Sequence, residues 1–239
     1  MSSPDPTVST VAAIIVAAGP GTRLGTSLPK AFVELAGLPL VVRSLRALLR
    51  APSIDAVVVV VPPDGIERAR ALLERHGPWR CQVAVAAGGA ARQDSVRNGL
   101  AALGATQLIA IHDAARPFVS AEVIEATIAA AEHYGAAIAA TPATDTVKQV
   151  HADGWIEATP ARERMWLAQT PQVFRADLIR TAHSRGATSS NAATDDAALV
   201  ERLGIRVHVV AANPENRKIT TPEDLRWAEW FLANSPEPR

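Results

Sequence analysis

VAAIIVAAGPGTRLGTSLPK, residues 11–30, joins an apolar run to a loop of small residues holding two charges, Arg23 and Lys30, both positive. An apolar run of that length ending in Ala17-Ala18-Gly19 fits a buried parallel strand. Glycines at 19, 21 and 25 let the following backbone approach a ligand with no Cβ in the way. Such a loop suits phosphates, yet two familiar phosphate loops are excluded. A dinucleotide fingerprint needs its third glycine three residues after the second, where Leu24 stands. A P-loop closes on Gly-Lys-Ser/Thr, whereas Lys30 follows Pro29. The open alternatives are an ordinary strand-to-helix turn with two solvated cations and a phosphate cradle of another type.

Outward from this stretch, apolar residues at helical spacing over Pro39–Ala51 precede Ile54–Val61, a strand too apolar to have a wet face, which Pro62-Pro63 ends. Ile66–His76 reads as an amphipathic helix, Gln82–Ala86 as a strand, and Asp94–Leu103 as a helix after the small-residue loop Gly88–Ala91. Leu108–His112 is a further strand, Ala121–Tyr134 a long helix with Ser120 as its cap, and Ala136–Ala140 a fifth strand. Alternating strands and helices predict an α/β fold, a mostly parallel sheet with helices on both faces and a ligand site beyond the carboxyl ends of the strands. At 239 residues, 48% hydrophobic and 20% charged, the chain fits one domain over 11–239 behind a disordered tail at 1–10. Acids and bases number 24 each, with no run of like charge, which argues against a nucleic-acid partner. The apolar run Val11–Ala18 is far below membrane-spanning length and has no basic residue before it, so no membrane association is expected. One cysteine, Cys81, and six scattered histidines offer neither an internal disulfide nor a metal-ligand spacing, and a cytoplasmic location is the expectation.

The strand ends bring three loops to one edge: that of Arg23 and Lys30, GGAARQDS at Gly88–Ser95, and His112–Pro117. Asp113, at the end of an apolar strand, is either a turn former or a magnesium ligand, since that ion takes one or two carboxylates together with phosphate and water. The basic residues are also asymmetric. Only Lys30, Lys148 and Lys218 are lysine among 24, so each marks either a place that needs a compact ammonium or a compositional remainder. The segment Thr141–Arg164 interrupts the alternation with a turn at Ala152-Asp153-Gly154 and alternating polar and apolar flanks. It predicts a β-hairpin arm standing off the sheet, marginal by itself and stable against a twin.

AAGPGTRLG…PK, GGAARQDSV, IHDAARP, DTVK, WLAQTPQVF, TDDAALVE and NRKITTPEDL, in this order over about residues 11–233, resemble the motifs of the 2-C-methyl-D-erythritol 4-phosphate cytidylyltransferases of the non-mevalonate isoprenoid pathway. The first motif is common to many nucleotidyltransferases, whereas HDAARP with TPQ and the late K-x-T-x-P-E-D is specific. Three departures concern only a rim: Ala91 in place of a more frequent Glu, Arg217 before Lys218, and extra residues at Ser189–Ala193. The resemblance implies a nucleotidyltransferase-type Rossmann-like sheet and a Mg2+-dependent transferase that joins CTP to methylerythritol phosphate, releasing pyrophosphate. It implies that Arg23, Lys30 and Lys218 are the catalytic cations, with Asp113 the metal ligand. Ala17, Ala18, Gly19, Gly21, Gly89 and Ser95 would hold the nucleotide, and Arg116, Thr170, Thr194 and Lys218 the sugar phosphate. Thr146 and Arg162 would reach the site of a second subunit in a homodimer joined through the arm. Two other readings stay open: a cytidylyltransferase for ribitol 5-phosphate or another polyol phosphate, against which Ala115 is a weak argument, and a nucleotide-binding module without activity. Thr221-Pro222-Glu223-Asp224 starts a last helix, through Phe231, expected to cover the sheet.

Overall fold

The computed structural model describes residues 10–19, 21, 24, 28–186 and 193–235. The tail at 1–9, Arg23, Gly25 and residues 187–192, which include most of the extra loop, lie outside the described residues.

Strand β1 (Val11–Val16) is central because every one of its side chains has an apolar neighbour to meet. It pairs in parallel with β4 (Ile54–Val61) on one side and β6 (Leu108–Asp113) on the other, and β5 (Gln82–Ala87) continues the parallel run beyond β4. Alternation along β1 sends Ala13 and Ile15 to one face, where α1 (Leu40–Leu48), α2 (Ile66–His76) and α4 (Ala121–Tyr134) cover them. Ala12 and Ile14 go to the other face, beneath α3 (Arg92–Ala102), α5 (Ala176–Gly186) and α6 (Asp196–Glu201). α4 is bounded as its sequence requires: the Ser120 hydroxyl accepts from the Val123 amide at 3.3 Å, and Gly135 takes φ +88 at the far end.

The sheet has seven strands in the order β11-β7-β10-β6-β1-β4-β5, and it is mixed. β10 (Trp166–Arg175), the strand that follows the arm, inserts antiparallel between β6 and β7 (Ala136–Pro142), and β11 (His208–Ala211) adds a parallel edge. The predicted alternation therefore holds for the first five long strands, whereas the chain returns through the sheet on the second half. β10 is irregular: Ala168 faces Ala140 but Gln172 faces Ile138, so Gln169–Pro171 bulge out of register.

The arm is a small separate sheet. β8 (Gln149–Val150) pairs antiparallel with β9 (Ile156–Ala158), tied by Lys148 Nζ donating to Thr159 Oγ1 at 2.9 Å. Trp155 and Ile156 are 74% and 60% exposed there, alongside exposed Val150 and Leu167. One expectation is corrected. The short hairpin β2 (Glu34–Leu35) and β3 (Leu38–Pro39) forms a satellite core of Leu24, Val33, Leu35, Leu40 and Ile219, and α7 (Pro222–Asn234) packs on that core instead of on the sheet. The cap of α7 is as read: Thr221 Oγ1 accepts from the Asp224 amide at 3.2 Å, and the Asp224 carboxylate accepts from the Thr221 amide at 2.9 Å. No helix among the described residues is long and apolar enough to cross a membrane.

Candidate active site

Parallel packing puts the carboxyl ends of β6, β1 and, beyond β4, β5 along one edge of the sheet, and the loops that leave them wall a cleft of about 340 Å3. Ala17, Ala18, Gly19 and Gly21 come from the first loop, Gly89 and Ser95 from the second, Asp113 from the third, with Lys30 and Lys218 at the rim. Close backbone approach is real at Gly21. It has φ +66, and a Cβ built there would collide with the Lys30 side chain, so glycine at 21 is what lets Lys30 sit over the loop. The second loop is closed by Ser95, whose hydroxyl accepts from the Gly89 amide and donates to the Ala91 carbonyl, both at 3.1 Å.

A smaller cleft of about 260 Å3 adjoins the first. It is lined by Arg116 from the third loop, Thr170 and Gln172 from the bulged β10, and Thr194 and Asp195 before α6. Arg92, Asp113 and Lys218 line both clefts and form the partition. Lys218 Nζ lies 2.7 Å from Asp113 Oδ2, Arg92 Nε 3.6 Å from Oδ1, and Arg116 Nε 3.8 Å from Oδ2. Burial alone would raise the Asp113 carboxyl, but Lys218, Arg92 and Arg116 outweigh it and hold the group well below the usual carboxylate range. Asp113 is thus an anion whenever the protein is folded near neutrality.

Among the described residues no group of three or more His, Cys, Asp or Glu side chains is placed to hold a metal ion. A cation bound wholly by protein is therefore not what these residues offer. One hard carboxylate opening on both clefts suits an ion that takes its remaining ligands from phosphate and water, and Asp113 Oδ1, with Arg92 Nε beyond hydrogen-bonding distance, is the oxygen that could hold it.

Behind the partition, buried His112 fixes the loop. Its Nε2 donates to the Arg116 carbonyl at 3.0 Å, so Nδ1 accepts from the Thr170 hydroxyl at 3.1 Å, and that hydroxyl in turn accepts from the Asp113 amide at 3.0 Å. Burial lowers the His112 pKa from 6.5 to about 4, offset in part by its bond to the Arg116 carbonyl. The folded state thus disfavours the imidazolium. Stability that is intact above pH 6.5 should be lost progressively as pH falls toward 4. The full loss is on the order of 3 kcal/mol by the linkage of pKa to free energy. Urea midpoints at pH 7 and pH 5 measure it, and His112→Gln should flatten the difference; an unchanged pH dependence in that variant would contradict the assignment.

The structure brings together Ala17, Ala18, Gly19, Gly21, Lys30, Gly89, Ser95, Asp113 and Lys218 in the first cleft, and Arg116, Thr170 and Thr194 with Asp113 and Lys218 in the second. It does not bring Thr146 or Arg162 to either. Both are exposed on the arm, where Arg162 Nη1 donates to the Thr144 carbonyl at 3.1 Å. Ala115 lines the first cleft and not the second. Sequence reading missed Arg92. α3 begins at Arg92 rather than at Asp94, with the Asp94 carboxylate accepting from the Ala91 amide at 3.1 Å, which turns a loop arginine into the first helical residue. An acid three residues past Ala91 was the available signal.

Residues 11–234 match the family model described as 2-C-methyl-D-erythritol 4-phosphate cytidylyltransferase. Proteins of that name from Geobacter metallireducens and Pelotomaculum thermopropionicum are 46% and 48% identical to this chain, covering 93% and 92% of it and 97% and 92% of their own lengths. Among solved structures, the 4-diphosphocytidyl-2C-methyl-D-erythritol synthase of Anaerococcus prevotii superposes with a TM-score of 0.85 at 32% identity over 95% of this chain and 97% of that one. The Thermus thermophilus cytidylyltransferase gives 0.74, also at 32%, over 92% and 98%.

Proposed function

This chain belongs to the 2-C-methyl-D-erythritol 4-phosphate cytidylyltransferase family, and from that premise we infer that it joins CTP and 2-C-methyl-D-erythritol 4-phosphate to give 4-diphosphocytidyl-2-C-methyl-D-erythritol and pyrophosphate, a step of isoprenoid precursor synthesis. The observation that carries the reading is the pair of adjoining clefts with one shared wall of Arg92, Asp113 and Lys218. A reaction that bonds two polyanions needs two binding places and a cationic junction between them.

In this reading the glycine loop, Ala17, Ala18, Gly89 and Ser95 hold the nucleotide in the larger cleft, while Arg116, Thr170, Thr194 and Lys218 hold the sugar phosphate in the smaller. An oxygen of the sugar phosphate attacks the α-phosphorus of CTP, the new P–O bond forms, and the bond to the β-phosphate breaks with pyrophosphate carrying off the electron pair. The attacking phosphate monoester is largely dianionic at neutral pH, its second pKa being about 6, so no general base is needed. His112 supplies none, since both of its nitrogens are committed. What the chain contributes is placement and positive charge. Lys30, Arg23 and Lys218 would stabilise charge at the α-phosphoryl group as it forms. A divalent ion such as Mg2+ held on Asp113 would add neutralisation of phosphate oxygens.

The test is product analysis with CTP, a divalent ion and each of two polyol phosphates. Product with methylerythritol phosphate and none when a chelator is present is expected; equal turnover of ribitol 5-phosphate would remove the substrate assignment, and turnover that survives the chelator would remove the metal role.

The arm supports a homodimer with shared sites. An isolated two-stranded hairpin is marginal in water, and this one exposes Trp155, Ile156 and Val150. Thr146 and Arg162, remote from their own chain's clefts, would then serve the partner's. Mixing Arg162→Ala with Lys30→Ala subunits should restore up to roughly a quarter of wild-type activity if exchange is random. No recovery after proven subunit exchange would show each site to be complete in one chain.

A further inference from the structure

The reacting atoms must lie where the two clefts meet, and three side chains line both: Asp113, Lys218 and Arg92. The arginine differs from the other two in being anchored from behind. Its Nη1 lies 2.7 Å from Asp196 Oδ2, while its Nε faces Asp113 Oδ1 at 3.6 Å. Asp196 is 1% exposed, and its other oxygen accepts from His183 Nε2 at 3.0 Å. A carboxylate only accepts, so His183 carries its proton on Nε2, and its buried Nδ1 has no hydrogen-bond partner. Gln172 Oε1 accepts from the amides of Asp196 and Ala197, both at 3.1 Å, and Gln172 Nε2 donates to Asp195 Oδ2 at 2.9 Å. α6 is thereby fastened to β10, and its first residue holds the guanidinium.

Two of the three guanidinium nitrogens are thus directed at carboxylates, and Nη2 makes no hydrogen bond among the described residues. We propose that Arg92 is a substrate-contacting cation at the junction of the two clefts, presenting Nη2 to a phosphoryl oxygen, and that Asp196 and His183 are positioning residues which hold it there. This rests on the function inferred above. A planar guanidinium can span two separated carboxylates and still offer a third nitrogen in a fixed direction, whereas an ammonium has only one nitrogen from which to reach all three partners. The arrangement also gives the buried Asp196 a counter-charge: it balances the arginine while Asp113 remains available to the junction.

The experiment is steady-state kinetics on the full chain with both substrates, together with CTP affinity by equilibrium titration. Arg92→Gln should lower kcat/KM for the sugar phosphate at least thirtyfold with CTP affinity within threefold of wild type. Asp196→Asn should lower it about tenfold, and the double variant no further than Arg92→Gln alone, because the aspartate acts through the arginine. Arg92 is partly open to solvent, so Arg92→Lys serves if Asp196→Asn does not fold, and it should lose at least tenfold. His183→Leu should raise the sugar-phosphate KM with CTP affinity unchanged. Arg92→Gln or Arg92→Lys turning over within twofold of wild type would overturn the proposal, as would losses that multiply in the double variant. Absence of product from the wild type would overturn the inferred function and this proposal together.

Discussion

Asp113→Asn is expected to cut turnover at least a hundredfold, about 2.7 kcal/mol of barrier. Asparagine keeps the shape and removes the charge that three cations surround, with Lys218 at 2.7 Å, Arg92 at 3.6 Å and Arg116 at 3.8 Å. Two losses coincide. On the proposed function, Asp113, among the described residues the only carboxylate that lines both clefts, would no longer be there to hold a divalent ion, and the cations whose mutual repulsion it neutralised would push one another out of place. They separate experimentally, because without a divalent ion the variant's junction is more positive, so it should bind CTP at least as tightly as the wild type. Breaking a buried ion pair typically costs about 3–5 kcal/mol of stability. With the Lys218 side chain 41% exposed and that of Arg92 30%, water takes up part of the charge, and the urea midpoint should fall by less than that implies. The Asp113 carboxyl is held below its unfolded range, so its contribution to stability is present above about pH 4 and is lost only as pH falls well below that. At neutral pH the wild type has all of it. Turnover within threefold of wild type would remove Asp113 from the reaction.

The parallel half of the sheet was legible because β1, β4 and β6 are buried on both faces, and a doubly buried strand must be written in apolar residues. β10 was not. Its sequence, WLAQTPQVFR, carries a proline in mid-run, which argues against a strand inside a sheet; the bulge at Gln169–Pro171 absorbs it, and that bulge faces Thr170 toward His112 and the Asp113 amide. The same local disorder of pattern that hid the strand made the site. The three lysines separate in space: Lys30 and Lys218 come to one cleft, while Lys148 ties the arm to Thr159. The anchor of Arg92 had no local signature, since Asp196 lies 104 residues further along the chain.

Lys30→Arg is expected to lower kcat at least thirtyfold, about 2 kcal/mol, while CTP affinity stays within threefold. The position leaves little freedom. Lys30 opens a single 3-10 turn over Lys30–Phe32, its stem passes close enough to Gly21 that no Cβ fits between, and its Nζ reaches Thr220 Oγ1 at 3.5 Å, two residues from Lys218. A guanidinium carried on that fixed stem is longer, wider and planar. It would extend past the point the ammonium occupies and toward Lys218, with like charges brought closer. On the proposed function, ground-state binding of the nucleotide would be spread over the glycine loop, Ser95 and the other cations, so losing one placement should cost it little. Charge that appears on the phosphoryl group only in the transition state has no such redundancy, and an interaction made only there shows in kcat rather than in affinity. The three lysines should therefore separate. Lys30→Arg acts on kcat; Lys218→Arg, at the wall shared with the smaller cleft, acts chiefly on the KM of the sugar phosphate; Lys148→Arg, on the arm, changes either by less than twofold. Kinetic constants for the three single variants decide it, and three wild-type results would show that the lysines are a compositional remainder and that charge alone, wherever it is carried, is enough at this junction.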